Sequence, residues 1–466
     1  MLQKAKAYIN SPVSSAPLAA FRILFGFMML FGTVRFIANG WIDALYVQPK
    51  FYFPYYGFEW VPWPGESGMY LLFTITGLSA IGVMLGYRYR IAAVLFFISF
   101  TWIELIDKSN YLNHYYFVSL MALVMIFLPA HRAWSLDARR NPGLWLDTLP
   151  RWTIGLVRIQ LGIVYFYAGI AKVQPDWLID AMPLTLWLPA HQDLPLIGGL
   201  LTQHWVAIAF SWAGCLYDLF IPFLLISKRW RPLAYMAVIG FHVMTGVLFQ
   251  IGLFPYIMIM CTLVFFSGDW HERNFRWLAA RWSAFRRKET NQEQENTHAW
   301  PASFRTGTLR HQWLMVVLAV WLGFQALFPF RYLLYPGELF WTEQGYRFGW
   351  RVMLMEKAGV ATFHVHDLRS GRKWEARNSD FLTPNQEKMM ATQPDMLWQF
   401  AQHLEDHYAG LGYDSITITA ESYVTLNGSQ ARLLIDPEQN LLAVEDNMGH
   451  KDWILPAKNN KTVVTR

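Results

Sequence analysis

Apolar runs long enough to cross about 30 Å of hydrocarbon recur along the first three quarters of the chain. They fall near residues 16–38, 68–86, 91–107, 112–129, 154–172, 205–226, 232–250, 252–267 and 312–330. The pattern predicts an α-helical multi-span membrane domain of about nine transmembrane helices over residues 1–335. Between the last two runs, the stretch from Glu272 to Thr308 is polar, rich in Arg, Gln and Asn, and lacks an apolar period. It reads as a cytoplasmic loop over 270–310, partly helical or disordered.

From about residue 360 the pattern becomes that of a folded aqueous domain. Thr362-Phe363-His364-Val365-His366 and Ser415-Ile416-Thr417-Ile418-Thr419 alternate as strands do, and Asn427-Gly428 stands between two further strand-like runs as a hairpin turn. Thr383-Pro384-Asn385-Gln386 has the form of a helix N-cap, a proline at the first helical position and a capping-box Gln. The helix it opens should run to about Tyr408, with a break at Pro394, and end at Gly410 and Gly412. Residues 336–466 are therefore expected to form a β-rich α+β domain.

Composition strengthens the membrane reading. Of 466 residues only 15% are charged, against roughly 25% in soluble proteins, and 23 Trp, 34 Phe and 22 Tyr suit helices bounded by interfacial rings. The net charge of +6 includes no basic stripe interleaved with aromatic residues, so nucleic acid is not expected as a partner; the lipid bilayer is. Cys215 and Cys261 both lie in apolar runs, which argues against a disulfide framework or thiolate metal site. The first run carries Arg22 and Arg35 and lacks an evident cleavage site, so it is expected to remain as a span.

Lys and Arg crowd one set of alternate loops, which includes Lys4, Lys6, Arg88, Arg90, Arg132, Arg139, Arg140, Lys228, Arg229, Arg231 and the run from Arg273 to Arg310. The other set holds only Lys50, Lys108 and Lys172. The positive-inside rule thus places the N-terminus in the cytoplasm and the C-terminal domain outside, periplasmic if the membrane is a bacterial inner membrane.

Two polar clusters lie on the outer side. Asp107-Lys108-Ser109-Asn110-Tyr111-Leu112-Asn113-His114 joins the third and fourth runs, and Lys172-Val173-Gln174-Pro175-Asp176-Trp177 ends the fifth. Each is open to a bland reading, a solvated turn with a snorkelling lysine or a helix-end anchor beside an interfacial Trp, and to a functional one, because ionisable groups beside hydrocarbon are costly. His242 and Gln250 lie in the seventh run and Arg158 and Gln160 in the fifth, where interhelical hydrogen bonding is the simplest role. His364 and His366 share a strand face without a recognisable third ligand. Phosphate loops, nucleophile elbows and zinc signatures do not occur, and no metal is expected.

The chain resembles the vitamin K-dependent γ-glutamyl carboxylase family in its shorter microbial form, with an HTTM-type membrane domain. The likeness runs through Ala19-Ala20-Phe21-Arg22-Ile23-Leu24-Phe25-Gly26, Met84-Leu85-Gly86-Tyr87-Arg88-Tyr89-Arg90-Ile91, Asp107-Lys108-Ser109, Asn113-His114 and Trp134-Ser135-Leu136-Asp137. It continues through Tyr165 to Lys172, Asp176-Trp177, Phe241-His242, Phe249 to Gly252, Trp341 to Trp350 and Arg432 to Pro437. The resemblance implies that reduced vitamin K, as phylloquinone or menaquinone hydroquinone, reacts with oxygen to give a strong base. That base removes a γ-proton from a protein glutamate, carbon dioxide adds, and the quinone leaves as its epoxide, to be recycled by a quinone reductase.

The family's catalytic lysine falls on Lys108, with Asp107, Asn113 and His114 beside it. The resemblance extends the quinone site to His242 and Lys172, and Arg158 and Gln250 are added as cofactor-binding candidates. It places glutamate binding on Trp341 through Arg351, with Trp341, Tyr346 and Trp350 as an apolar wall and Arg347 or Arg351 meeting the carboxylate. The animal disulfide has no counterpart, and the animal propeptide-docking surface is expected to be reduced. Phenols and lysine amines have similar pKa values near ~10, so proton transfer between them is balanced if the lysine starts neutral. An ionised Asp107 against the amine would oppose this, so Asp107 is expected to bond elsewhere. The alternative is a non-carboxylating membrane protein that binds or transports a quinol, lipid or small solute; a transporter site belongs near the midplane, whereas Lys108 lies at the outer boundary.

Overall fold

The computed structural model of the chain describes residues 2–281 and 308–457. Each apolar run forms a helix: α1 Ala16–Ala38, α2 Gly65–Leu85, α3 Tyr89–Ile106, α4 Asn113–Phe127, α5 Arg151–Ala171, α6 His204–Ile226, α7 Arg231–Leu248 and α8 Phe254–Cys261. Helix α9, Gly268–Arg281, is amphipathic, and α10, Leu309–Leu327, is the last apolar one. Among the described residues seven helices are long and apolar enough to cross a membrane; α4 and the apolar segment Phe254–Phe265 that contains α8 are shorter. At 1.5 Å per residue the 15 residues of α4 span only about 22 Å, so the nine expected runs are present as helices but two do not reach across by length. The expected cytoplasmic loop is helical as far as Arg281, and 282–307 lie outside the described residues.

Helix α2 lies against both α1 and α3, and α5 lies against α6. Gly26 permits the closest of these approaches: a Cβ there would lie 2.5 Å from the Met84 backbone nitrogen. Arg22, fully buried, donates to the carbonyls of Ala130, Val83, Met84 and Trp134 at 2.5–3.1 Å and so gathers the inner ends of α1, α2 and α4. Gly86 ends α2 at φ +63, and Asp137 accepts from the backbone N–H groups of Arg88 and Tyr89 at the start of α3. A half-buried carboxylate there complements the helix N-terminus.

The C-terminal domain has a four-stranded antiparallel sheet in the order β2-β1-β3-β4, with β1 Lys357–Asp367, β2 Lys373–Ala376, β3 Ile416–Leu426 and β4 Arg432–Leu433. Phe363 and Val365 of β1 are buried while His364 and His366 occupy its other face. His364 Nε2 lies 3.7 Å from Glu421. The Asn427-Gly428 turn has φ +51 and +72, as a tight hairpin turn requires. Against the buried face pack α11 (Pro384–Met390), opened by the Thr383–Gln386 capping box, and α12 (Pro394–Gly410), with Phe363 and Phe400 edge to face at 5.0 Å. The expected break at Pro394 is thus a real separation of two helices.

This core does not stop at the membrane domain. Buried Trp177, Leu184, Ala207 and Leu248 belong to the same apolar cluster as Phe363, Phe400 and Ile418, so the sheet domain rests on the outer ends of α6 and α7.

Candidate active site

Past the end of α3 the backbone turns extended at Asp107 and makes one tight turn over Lys108–Asn110. Apolar helix residues stop there, and the Lys108 N–H is satisfied by the Phe53 carbonyl at 2.8 Å. The Asp107 carboxylate is 1% exposed and turned from the amine: it accepts from the Ser109 N–H at 2.9 Å and from Gln386 Nε2 at 2.8 Å. Burial raises its pKa, and these hydrogen bonds only partly oppose the shift.

Lys108, 3% exposed, instead points into the outer domain, where its Nζ lies 2.7 Å from Oδ2 of Asp395 in the first turn of α12. Arg347 Nη1 approaches the same oxygen at 2.7 Å, and its other terminal nitrogen also meets Gln393. Burial would raise the Asp395 carboxyl, but Arg347 and then Lys108 outweigh it and hold the group well below the usual carboxylate range. For Lys108 the balance runs the other way: burial lowers the amine, Asp395 offsets only part of that, and Arg347 adds to the lowering. One carboxylate is thus shared by two cations, which makes loss of the lysine proton easier than in an isolated pair.

Lys108 and Arg347 border a cavity of about 1040 Å³ that runs from the outer domain into the membrane domain. Met28, Met29, Phe36, Phe73, Phe100 and Ile103 supply apolar wall, while Asn113, His114, Gln250, Tyr346 and Arg351 supply polar groups. Asn113 Nδ2 donates to the Arg351 carbonyl at 2.8 Å, so it also ties α4 to the outer domain. His114 has no protein hydrogen-bond partner among the described residues and faces the cavity beside Phe254. Lys357, near the outer wall, is held 2.9 Å from Glu343 and donates to the Trp341 carbonyl.

A second, smaller cavity of about 90 Å³ adjoins the first across Trp187, Ile251, Phe254, Val352 and Met353. His242 and Lys172 border it. His242 Nε2 is 3.1 Å from the Tyr165 hydroxyl, and Lys172 Nζ is 2.7 Å from Asp218 Oδ2 and lies over the Trp177 ring. Among the described residues no cluster of three or more His, Cys, Asp or Glu could hold a metal.

The structure therefore divides the expected site residues. Lys108, Asn113, His114, Gln250, Tyr346 and Arg351 share the large cavity, and Asp107 braces its rim from behind. His242 and Lys172 stand one wall away. Three residues are elsewhere. Arg158 borders neither cavity and donates to the Val264 carbonyl at 2.8 and 3.0 Å, because an arginine two turns into α5 reaches the open carbonyls after α8. Trp341 is buried with its indole N–H on the Leu455 carbonyl, and Trp350 is buried against Tyr116 at 4.9 Å, so both rings fill core and neither walls the cavity. Asp395, Gln386, Asp218 and Tyr165 were not anticipated. Asp395 follows the proline that opens α12, where an acidic residue is explained by the helix dipole alone; only the folded chain brings it to Lys108.

Residues 10–270 match the model of the HTTM domain, and residues 310–460 match that of the vitamin K-dependent gamma-carboxylase, lumenal domain. The chain belongs to the vitamin K-dependent gamma-carboxylase family. No solved structure matches the chain. The boundary between the two matched regions falls in the segment that precedes α10, and the large cavity is built from both of them. The match to the lumenal domain agrees with the charge bias in setting the sheet domain on the side away from the cytoplasm.

Proposed function

We propose that the protein carboxylates the γ-carbon of glutamate residues in a protein or peptide, coupled to epoxidation of vitamin K hydroquinone, in a bacterial inner membrane with its sheet domain in the periplasm. The observation that carries this reading is the Lys108 amine: buried, lowered in pKa, at the border of a large membrane-reaching cavity, and sharing its counter-charge with Arg347. The residues fit the group. An apolar wall of Met and Phe side chains with Lys108 and His114 among its polar groups suits a lipid-soluble ring with a tail, and about 1040 Å³ exceeds what a ring alone would fill.

When bound, a reduced quinone supplies, on reaction with oxygen, the strong base that abstracts the glutamate γ-proton before carbon dioxide adds. Lys108 in its neutral form accepts the ring hydroxyl proton at Nζ, and Asp395 and Arg347 fix the amine in place. His114 offers a ring nitrogen to the same ligand. Six cationic side chains against three acidic ones line the cavity, a surplus that favours an anionic glutamate and a product with one carboxylate more. Arg351, which borders the cavity with its guanidinium 4.2 Å from the Tyr332 ring centroid, would meet that carboxylate.

The test is purified protein in lipid with vitamin K hydroquinone or menaquinol, oxygen, labelled bicarbonate and a glutamate-containing peptide. Labelled peptide and quinone epoxide should both form with the wild type and neither with Lys108→Ala, whose helical circular dichroism should match the wild type's at the assay temperature. Normal epoxidation by that variant would remove Lys108 as the base. Failure of folded wild type to make either product would favour a quinol-binding or transport protein instead.

A further inference from the structure

Strand β1 runs from the rim of the large cavity into the sheet, and its two edges are not equally used. Toward β3 its even-numbered residues make the ladder: the Glu356 carbonyl just before the strand accepts from the Asn427 N–H at 2.8 Å, and the Leu368 N–H just after it donates to the Ser415 carbonyl at 2.9 Å. Backbone groups of the odd-numbered residues therefore face the opposite edge. There Phe363 and Val365 stand against Ala376 and Trp374 of β2, the Asp367 N–H donates to the Arg372 carbonyl at 2.9 Å, and the Ala361 carbonyl accepts from Asn378 Nδ2 at 2.9 Å. Pairing stops at Asn378. The N–H and C=O of Lys357, the N–H and C=O of Gly359 and the N–H of Ala361 have no hydrogen-bond partner among the described residues.

This open stretch belongs to the mouth of the cavity. Met355, Glu356 and Lys357 border it, as do Lys388 and Met389 of α11 and Thr392 just after that helix. A Cβ at Gly359 would lie 3.2 Å from Thr392 Cγ2, so the turn after α11 closes the strand's buried face where its edge is open. On the other face Val360 is 68% exposed, which leaves that side to solvent. A row of unpaired N–H and C=O groups is a template for another strand, and the stretch from Lys357 to Ala361 is about 14 Å long, room for about five residues of an extended chain. We propose that this edge holds the backbone of the substrate: an extended segment of an acidic, glutamate-bearing peptide adds to β1 along Lys357–Ala361, and a glutamate at the Lys357 end enters the cavity. Backbone hydrogen bonds do not read side chains, so the choice of an acidic segment falls to charge, which Lys388 and the cationic surplus of the cavity supply. The inference rests on the carboxylase reading of the cavity and adds how its substrate is held.

The experiment is binding of a fluorescein-labelled, glutamate-rich peptide of about seven residues to full-length protein in lipid nanodiscs without quinone, read by anisotropy. Two further peptides carry N-methyl groups at alternate residues, in one register or the other. In a strand added to an edge, one alternate set of N–H groups faces β1 and the other faces away. One methylated peptide should therefore bind about tenfold or more weakly than the parent, and the other about as well as the parent. Val360→Asp, an exposed change beside the added strand, should weaken the parent about threefold and Val360→Lys should tighten it, with circular dichroism unchanged in both. Equal binding by the two methylated peptides would overturn the inference, as would changes of the same sign in the two Val360 variants or a parent peptide that does not bind. Self-association that Val360→Asp abolishes, with peptide affinity unchanged, would give the edge to a second copy of the chain instead. If wild type still carboxylates the parent peptide in any of these cases, only the role of the edge fails. If it neither binds nor carboxylates that peptide, the carboxylase reading fails with it.

Discussion

The Lys108 amine lies 2.7 Å from Oδ2 of Asp395, and that oxygen is also 2.7 Å from Nη1 of Arg347. The lysine stands on the turn after α3 and the aspartate at the start of α12, so the membrane helices and the sheet domain each contribute half of the pair. Docking of the two domains thus sets the proton affinity of the proposed base.

The pH dependence of epoxide formation should report this. Neutral Lys108 is the active form, so the rate should rise with pH through the lysine pKa. Asp395 raises that pKa and Arg347 lowers it, while burial lowers it most. Asp395→Asn should therefore move the rise to lower pH, and Arg347→Gln should move it to higher pH and leave Asp395 wholly to the lysine. Shifts of the same sign in the two variants would show that the charges act only through folding.

Gln386 joins two roles that sequence alone separates. Its side-chain oxygen completes the capping box of α11, and its Nε2 donates to the Phe51 carbonyl at 2.7 Å and to Asp107 at 2.8 Å. Gln386→Leu leaves the buried Asp107 carboxylate short of a donor and should cost about 1–3 kcal/mol, with slower epoxidation because the turn that carries Lys108 loses its brace. Thr383→Ala, which removes only the cap, should cost about 1 kcal/mol and leave epoxidation unchanged. Thermal unfolding in one detergent together with initial rates separates them; equal loss of activity in both would place the effect in α11 itself.

Much of this architecture is legible in the chain because periodicity and capping are local. The nine apolar runs, the strand alternation around His364 and Ile418, the Asn427-Gly428 turn and the Thr383 cap each depend on a few neighbouring residues. Partners for buried charge are not local. Asp395 reads as an ordinary first-turn acid, and Asp218 as one polar residue in an apolar run, until folding sets them against Lys108 and Lys172. The same limit applies to Trp341 and Trp350: an aromatic residue near a site fills core or lines a cavity according to its rotamer and neighbours, and spacing cannot distinguish the two. Arg158 likewise has a cation's expense in an apolar helix but is satisfied by backbone carbonyls at the inner end.

Helix packing gives a prediction independent of chemistry. At Gly26 a Cβ would meet Met84 N at 2.5 Å and the Ala80 carbonyl at 2.8 Å, both backbone atoms that cannot swing away. Gly26→Ala must part α1 from α2 and should cost about 1–3 kcal/mol, seen as a lower thermal midpoint. Gly155→Ala, where a Cβ meets nothing within 4 Å, should not lower it. A neutral Gly26→Ala would mean that the two helices pack less closely than described.

The Lys172–Asp218 pair separates a structural role from a chemical one. Both groups are buried, and among the described residues the Asp218 carboxylate has only the lysine as a partner, whereas the amine also reaches the Ala168 carbonyl at 3.2 Å and the Trp177 ring face. Removing one member of a buried pair costs about 3–5 kcal/mol because the other is left uncompensated, while replacing both by apolar residues is often neutral. Lys172→Met should accordingly be worse than Asp218→Leu, since the stranded carboxylate keeps no donor and the stranded amine keeps a carbonyl and a ring. The Lys172→Met/Asp218→Leu double variant should unfold at a higher temperature than either single one. Its epoxidation is the deciding readout: the pair borders the smaller cavity behind Phe254 and is spent on itself, so the rate should stay within about tenfold of wild type, a loss of no more than about 1.4 kcal/mol in the barrier. Abolished epoxidation in a folded double variant would instead make Lys172 a participant in the quinone chemistry.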